Sequence, residues 1–320
     1  MIFVEVPFIE ESAVIETLPS TGICTGYYEQ RASRSEFIEV RGSRHHVRRW
    51  GSPQAPLLVL LHGWMDNSAT WQFMVDQLRQ EWNIIALDWA GFGLSDKREY
   101  YAFSEYLADL EAFLDLVSPD EPVRLVAHSM GANISSLYAG VRPDRIHSFI
   151  NLEGVGPFPN QLATLGTRIG NWLDSLSRPG AGRTVHLPDV SSMARRMLRK
   201  NPRLDQAQAE FLARHFVVPD PAGGVRIAAD VKTFSFIPIF PHAEQVETLL
   251  AQITARVLFV RGADSFVSQA FKGHEAALQR RFDCVADSRT VLIEDAGHNL
   301  QHDVPHELAA LIDEFLEQDQ

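Results

Sequence analysis

Ala127-His128-Ser129-Met130-Gly131 decides how this chain folds. A strand-like run, Val123-Arg124-Leu125-Val126, feeds into it, and a helix-like run from Ala132 to Gly140 leaves it. A sharp strand-to-helix turn of this kind lifts one serine hydroxyl out at the top of a sheet. Small residues on either side let the strand and helix backbones pass closely. Ser129 is therefore the candidate nucleophile. Ala127 stands where such a turn usually carries its first glycine, a departure of one methyl that needs slightly more room. Taken alone, the segment fits a buried structural turn as well, because short serine-centred motifs recur by chance.

The surroundings narrow the reading. Leu57-Leu58-Val59-Leu60-Leu61 is a continuous apolar run, as a fully buried parallel strand shows, and it ends at His62-Gly63-Trp64. Ile84-Ile85-Ala86-Leu87 ends at Asp88-Trp89-Ala90-Gly91-Phe92-Gly93. Far downstream, Val291-Leu292-Ile293 leads through Glu294-Asp295-Ala296 to Gly297-His298. Strand-HG, strand-D-x-x-G-x-G, strand-H-S-x-G and strand-G-H stand in the order of the α/β-hydrolase superfamily, which the chain resembles from about Phe37 to the C-terminus. The resemblance implies an α/β-hydrolase fold: a mostly parallel, doubly wound sheet with a helical cap insertion. The expected division is an N-terminal extension over 1–35, a core over 36–154 and 254–320, and a cap over 155–253.

With 320 residues, 45% apolar and 22% charged, the chain can bury one large core. Its formal net charge of −12 opposes attraction to phosphate backbones or anionic membranes, so no nucleic-acid or membrane partner is expected. Cys24 and Cys284 are far apart and lack metal-ligand spacing, which favours free thiols and a cytoplasmic setting. The N-terminal MIFVEVPFIEESAVIE places glutamates within its apolar stretch and has no basic leader, so it reads neither as signal peptide nor as membrane span. Repeats and low-complexity tracts are absent from the sequence.

Phe37 to Val40, the turn Arg41-Gly42-Ser43 and His45 to Trp50 read as a hairpin opening the sheet, with Arg44, Arg48 and Arg49 on a solvated face. Apolar residues at helical spacing predict helices over Trp71 to Gln80 and Phe103 to Val117. Past Val155 the strand–helix alternation stops. Helical runs follow at Ala163 to Leu176, Ser191 to Lys200 and Asp205 to His215, before Val257 to Val260 resumes the sheet and Val304 to Leu316 closes it. Trp172, Phe211, Phe216, Phe234 and Phe236 fit an apolar acyl pocket or plain core, the commoner fate of aromatics at this spacing.

Acyl transfer by a serine needs a base, an acid to orient that base, and donors for the oxyanion. The superfamily's chain order of serine, acid, histidine makes His298 the base. His302 reads as a supporting or surface residue, His62 as a structural hydrogen-bonder beneath the oxyanion loop, and His128 as pointing away into the sheet. Two acids compete. Asp264, in Gly262-Ala263-Asp264-Ser265, follows the strand where these enzymes often carry their aspartate, but one place early, with serine at the expected position. Glu153, after Asn151-Leu152, matches the glutamate of one subgroup of haloalkane dehalogenases, and a carboxylate buried there is costly unless it is paired. Glu153 is favoured and Asp264 is the alternative. The resemblance assigns the oxyanion hole to the main-chain N–H groups of Trp64 and Met130, with both side chains facing the cleft. Asp66 and Asn67 are candidates to cap the next helix.

These residues imply a serine esterase acting on a small-molecule substrate through an acyl-enzyme, with no metal or cofactor. Serine at the elbow argues against dehalogenase or epoxide-hydrolase chemistry, which uses a carboxylate there. The His62-Gly63-Trp64 loop and its continuation Met65-Asp66-Asn67-Ser68-Ala69 resemble the serine-hydrolase-like branch. A thioesterase or carbon–carbon-bond hydrolase, a cofactor-independent ring-cleaving dioxygenase and a noncatalytic binding protein share the fold, and fold alone does not separate them.

Overall fold

Arg41 and Gly42 both take positive φ, 51° and 73°, the geometry of a two-residue hairpin turn whose twist matches that of its strands. The turn joins β1 (Arg34–Val40) to β2 (Ser43–Trp50) with Val40 opposite Ser43. The computed structural model describes residues 26–159, 165–177, 186–237 and 240–317. Most of the expected N-terminal extension and Cys24 lie outside the described residues. Cys284 is a free, half-buried thiol.

The strands continue as β3 (Leu57–Leu61), β4 (Asn83–Leu87), β5 (Val123–His128) and β6 (Ile146–Leu152). After them come three short strands, β7 (His186–Leu187), β8 (Val217–Pro219) and β9 (Val225–Ile227), then β10 (Arg256–Gly262) and β11 (Ser288–Ile293). Eight strands form one sheet in the order β1-β2-β4-β3-β5-β6-β10-β11. The β1–β2 and β2–β4 pairs are antiparallel and the rest are parallel. Successive side chains of a strand point to opposite faces. Leu58 and Leu60 accordingly pack in a core with Trp71, Ile312 and Leu308, while Val59 and Leu61 pack in another with Phe113, Leu110 and Ile134. Both faces are covered, which is why β3 reads as an unbroken apolar run. Truncating Leu60, with none of its surface exposed, to alanine removes about 2–5 kcal/mol.

The helix Phe103–Val117 has the predicted bounds, and the expected insertion helices appear as Leu165–Leu176, Val190–Lys200 and Gln206–Phe216. Three expectations are corrected. The helix read over Trp71 to Gln80 is a 3₁₀ turn, Ser68–Trp71, and one α turn, Gln72–Val75. Beyond it, Gln77 and Leu78 bond back only three residues, and the Arg79 N–H donates to Asp313 on the last helix at 2.9 Å instead of to a carbonyl of the preceding turn. A tertiary acceptor competes successfully with the helical one. Arg48 is not on a solvated face; it is 7% exposed and donates to Ser33 Oγ at 2.8 Å. The insertion is also not purely helical, because Val217-Val218 and Val225-Arg226-Ile227 pair as an antiparallel sheet around a turn where Gly223 and Gly224 have positive φ. Among the described residues no helix is long and apolar enough to cross a membrane.

Candidate active site

Four chain crossings deliver side chains to the C-terminal edge of the parallel sheet, where ligands of open α/β sheets bind. Ser129 follows β5, Glu153 follows β6, Ser265 lies just past β10, and His298 lies just past β11. Ser129 has φ 51° and ψ −110°, a conformation non-glycine residues rarely adopt. The helix Met130–Val141 starts immediately after it. That tight exit explains Gly131, where a Cβ would sit 2.6 Å from the carbonyl oxygens of both Leu61 and His62. Ala127 is fully buried, so the strand accommodates the extra methyl.

His298 Nε2 lies 3.0 Å from Ser129 Oγ, and His298 Nδ1 lies 3.0 Å from Glu153 Oε2. An ionised carboxylate only accepts, so Nδ1 carries the imidazole proton and Nε2 offers its lone pair to the serine hydroxyl. The Glu153 side chain is fully buried. Its Oε1 accepts the Gly262 N–H at 2.7 Å, and its Oε2 also accepts the Ser265 hydroxyl. Glu153 itself has φ 63°, held by its N–H to Val260 O at 3.0 Å and by Asn151, whose amide oxygen takes the next N–H, that of Gly154, at 2.8 Å. Asp264, the alternative acid, points elsewhere: its side chain is 57% exposed and pairs with Arg203.

Gly63, which precedes Trp64, and Met130 both adjoin Ser129. A Cβ on Gly63 would fall 3.2 Å from Ser129 Cβ, and Met130 is the first residue of its helix, whose leading N–H groups have no intrahelical acceptor. The Trp64 side chain is 46% exposed, with its ring 5.0 Å from Phe234, edge to face. Asn67 caps the following 3₁₀ turn, its Oδ1 accepting from Ala69 N at 3.0 Å. Asp66 instead takes the N–H of Asn67 at 2.8 Å, and burial pushes its carboxyl up to about 7.

His62, His302 and His128 are all buried. His62 Nδ1 donates to Gly63 O at 2.7 Å and Nε2 accepts the Trp89 N–H at 3.0 Å, which uses both ring nitrogens of the neutral form. Burial depresses its basicity. His302 is buried, not superficial, and contacts Thr70 Oγ1 at 2.6 Å. His128 does not point away from the site. Its Nε2 donates to the main-chain oxygen of His298 at 2.8 Å, and the two rings are 4.6 Å apart. Burial, then the neighbouring His298, drive its pKa well below the usual imidazole range. Alternation along β5 indicates which face a residue occupies but not that β11 delivers a carbonyl to it.

Of the five aromatics named from the sequence, Phe234 meets Trp64 edge to face, and Trp172 donates to Ser235 O at 3.0 Å nearby. Phe236 stacks on Tyr106, and Phe211 packs with Tyr27 and Phe73, both as core. Phe216 lies against two small apolar clusters of the insertion. Sequence reasoning missed Phe266, 54% exposed, with its ring 4.3 Å from that of His298. It also missed a clamp on the histidine loop: Asp303 Oδ2 accepts the Gly297 N–H at 2.8 Å, Asn201 Nδ2 donates to Asp303 Oδ1 at 2.6 Å, and Arg203 Nε donates to Asp295 O at 2.7 Å. Asn201 and Arg203 come from distant sequence, and local pattern carries no signal for them.

A covered parallel sheet with hydroxyl, imidazole and carboxylate aligned at its C-terminal edge defines the class: a hydrolase of the α/β fold. The chain belongs to the α/β-hydrolase fold family, whose profile matches residues 56–305. Among its relatives are a serine hydrolase-like protein of Danio rerio, 24% identical over 90% of each chain, and the 2-(acetamidomethylene)succinate hydrolase of Mesorhizobium japonicum, 26% identical over 88% of this chain and 95% of that one. A thioesterase domain from the curacin biosynthetic pathway superposes with a TM-score of 0.76 at 26% identity, covering 88% of this chain and 99% of the domain.

Proposed function

We propose that this protein is a serine hydrolase that cleaves an ester-type carbonyl substrate through an acyl-enzyme on Ser129. The observation that carries the reading is the pair of contacts at 3.0 Å, Ser129 Oγ to His298 Nε2 and His298 Nδ1 to Glu153 Oε2, on a serine held at positive φ. His298 takes the hydroxyl proton as Oγ attacks the carbonyl carbon. The tetrahedral oxyanion lies against the N–H groups of Met130 and Trp64. The imidazolium, held by Glu153, then protonates the departing alkoxide or thiolate as the carbon–heteroatom bond breaks. Water enters, gives a proton to the same nitrogen, attacks the acyl carbonyl and releases the acid, returning the proton to Ser129. Each oxyanion donor is worth about 10²–10³ in turnover in such sites.

The first test is labelling with a fluorophosphonate, mapped by peptide mass, with Ser129→Ala as control. An adduct on Ser129 that is absent in the variant supports the reading. Folded protein that resists the reagent overturns it. Matched oxygen and sulfur esters of graded acyl length then separate esterase from thioesterase activity, and both reactions use the same steps. The similarity to the 2-(acetamidomethylene)succinate hydrolase makes that enzyme's substrate one compound worth adding to the panel.

A further inference from the structure

Ser265 is fully buried and has two hydrogen bonds that together fix its hydroxyl. Its oxygen accepts the Val267 N–H at 3.0 Å, so its proton is free to point only the other way, to Glu153 Oε2. His298 Nδ1 binds that same oxygen at 3.0 Å. The other oxygen, Oε1, is fixed by Gly262 N at 2.7 Å. Glu153 reaches the site from β6, and Ser265 and Gly262 meet it from the end of β10. The carboxylate thus spans two strands, with three donors and no freedom to rotate.

We infer that Ser265 is a positioning residue of the catalytic acid: its hydroxyl orients Glu153 and holds down the basicity of the oxygen that faces His298. The inference rests on the proposed roles of Glu153 and His298 and deepens them. A carboxylate oxygen that accepts a second hydrogen bond is a weaker base toward its first donor. Removing the hydroxyl concentrates charge on Oε2, strengthens its hold on the imidazolium and lets the side chain rotate. The base then keeps its proton to higher pH, and its aim toward Ser129 loosens. A purely structural serine, serving only as the cap of the short helix Phe266–Ala270, has neither effect. Serine is suited to this place because its single hydroxyl both accepts from the helix and donates to the acid, whereas aspartate would set a second negative charge against Glu153.

The test compares wild type with Ser265→Ala, Ser265→Gly and Ser265→Thr. Glycine replaces serine at a helix cap far better than alanine does, so the glycine variant keeps the protein folded if alanine does not. The protonation midpoint of the His298 ring, followed by NMR on histidine-labelled protein and assigned with His298→Gln, is expected to rise by roughly half a pH unit or more in the truncated variants and to return in threonine. Turnover of a p-nitrophenyl ester is expected to fall ~10–100-fold with KM changed less than about twofold, and to recover in threonine. Truncated variants with a lowered Tm but an unchanged midpoint would reduce Ser265 to a cap and overturn the inference, as would equal losses in alanine, glycine and threonine. Because the midpoint is read without a substrate, wild type that resists the fluorophosphonate fails the proposed function alone, while the NMR result still decides the role of Ser265.

Discussion

Gly297 donates its main-chain N–H to Asp303 Oδ2 at 2.8 Å, and the carbonyl of the same peptide, Ala296 O, accepts the Asp264 N–H at 3.0 Å, so the peptide that leads into His298 is held at both ends. Asp303 also accepts Asn201 Nδ2 at 2.6 Å, so the insertion between β6 and β10 is tied to the loop that carries the proposed base. Arg203, two residues on, holds Asp295 O and the Asp264 carboxylate. The segment expected to cover the cleft therefore also braces its histidine.

Asp303→Ala is expected to lower kcat by ~10–100-fold, because small displacements of a catalytic group are costly. Asn201→Ala should have a smaller effect in the same direction, since it leaves the bond to Gly297 intact. Steady-state kinetics with circular dichroism as the folding control checks both, and an unchanged kcat in Asp303→Ala would contradict the bracing role.

Glu153→Gln is expected to cut kcat by about 10³–10⁴, because an amide no longer stabilises the imidazolium or enforces the Nδ1–H tautomer. Asp264→Asn should stay within a few-fold, as its side chain is 57% exposed and pairs with Arg203. The reverse ranking would transfer the acid role to Asp264.

His302 binds Thr70 in a fully buried site, and burial lowers its pKa to about 3. The unfolded chain takes up that proton near the ordinary pKa of about 6.5, so the unfolded state binds more protons between these values. Its contribution is present above about pH 6.5 and is lost as pH falls toward 3; at pH 5 the loss is about 2 kcal/mol. His302→Gln should flatten the fall of Tm between pH 6.5 and 4.5, and a slope identical to wild type would refute this.

Asp66 acts with the opposite sign. Its pKa is raised by burial to about 7, so between the ordinary carboxylate range and neutrality the folded state holds a proton that the unfolded state has released. The contribution of Asp66 is greatest in acid and disappears as pH rises through 7. Asp66→Asn, which keeps an acceptor for Asn67 N without ionising, should be stabilised relative to wild type at pH 8 more than at pH 5. Thermal melts at the two pH values check the difference.

Phe266 and Trp64 are both about half exposed, Phe266 with its ring against His298 and Trp64 with its ring against Phe234. Phe266→Ala should lower kcat/KM for aryl esters by ~3–10-fold more than for alkyl esters, the size of one lost aromatic contact. Equal losses on both would assign Phe266 to supporting His298 alone.

The sheet and the helices were legible in the sequence wherever a local period specified them. Leu57 to Leu61 reads as a doubly buried strand, and Phe103 to Val117 keeps one helical face apolar along its whole length. The helix expected over Trp71 to Gln80 shows the limit, because Asp313, more than two hundred residues away, accepts the Arg79 N–H that would have extended it.

By itself the sequence determined the family and singled out Ser129 and His298 as candidates, because an elbow and a Gly-His turn are each written in a few adjacent residues. Tertiary structure decided that Glu153 is the carboxylate that meets the His298 imidazole, that His128 turns toward the His298 carbonyl, and that the Ser265 hydroxyl reaches Glu153. The reason is physical. Strand and turn preferences are set by neighbours along the chain, whereas these hydrogen bonds join groups 112, 145 and 170 residues apart that meet only when β5, β6, β10 and β11 lie side by side.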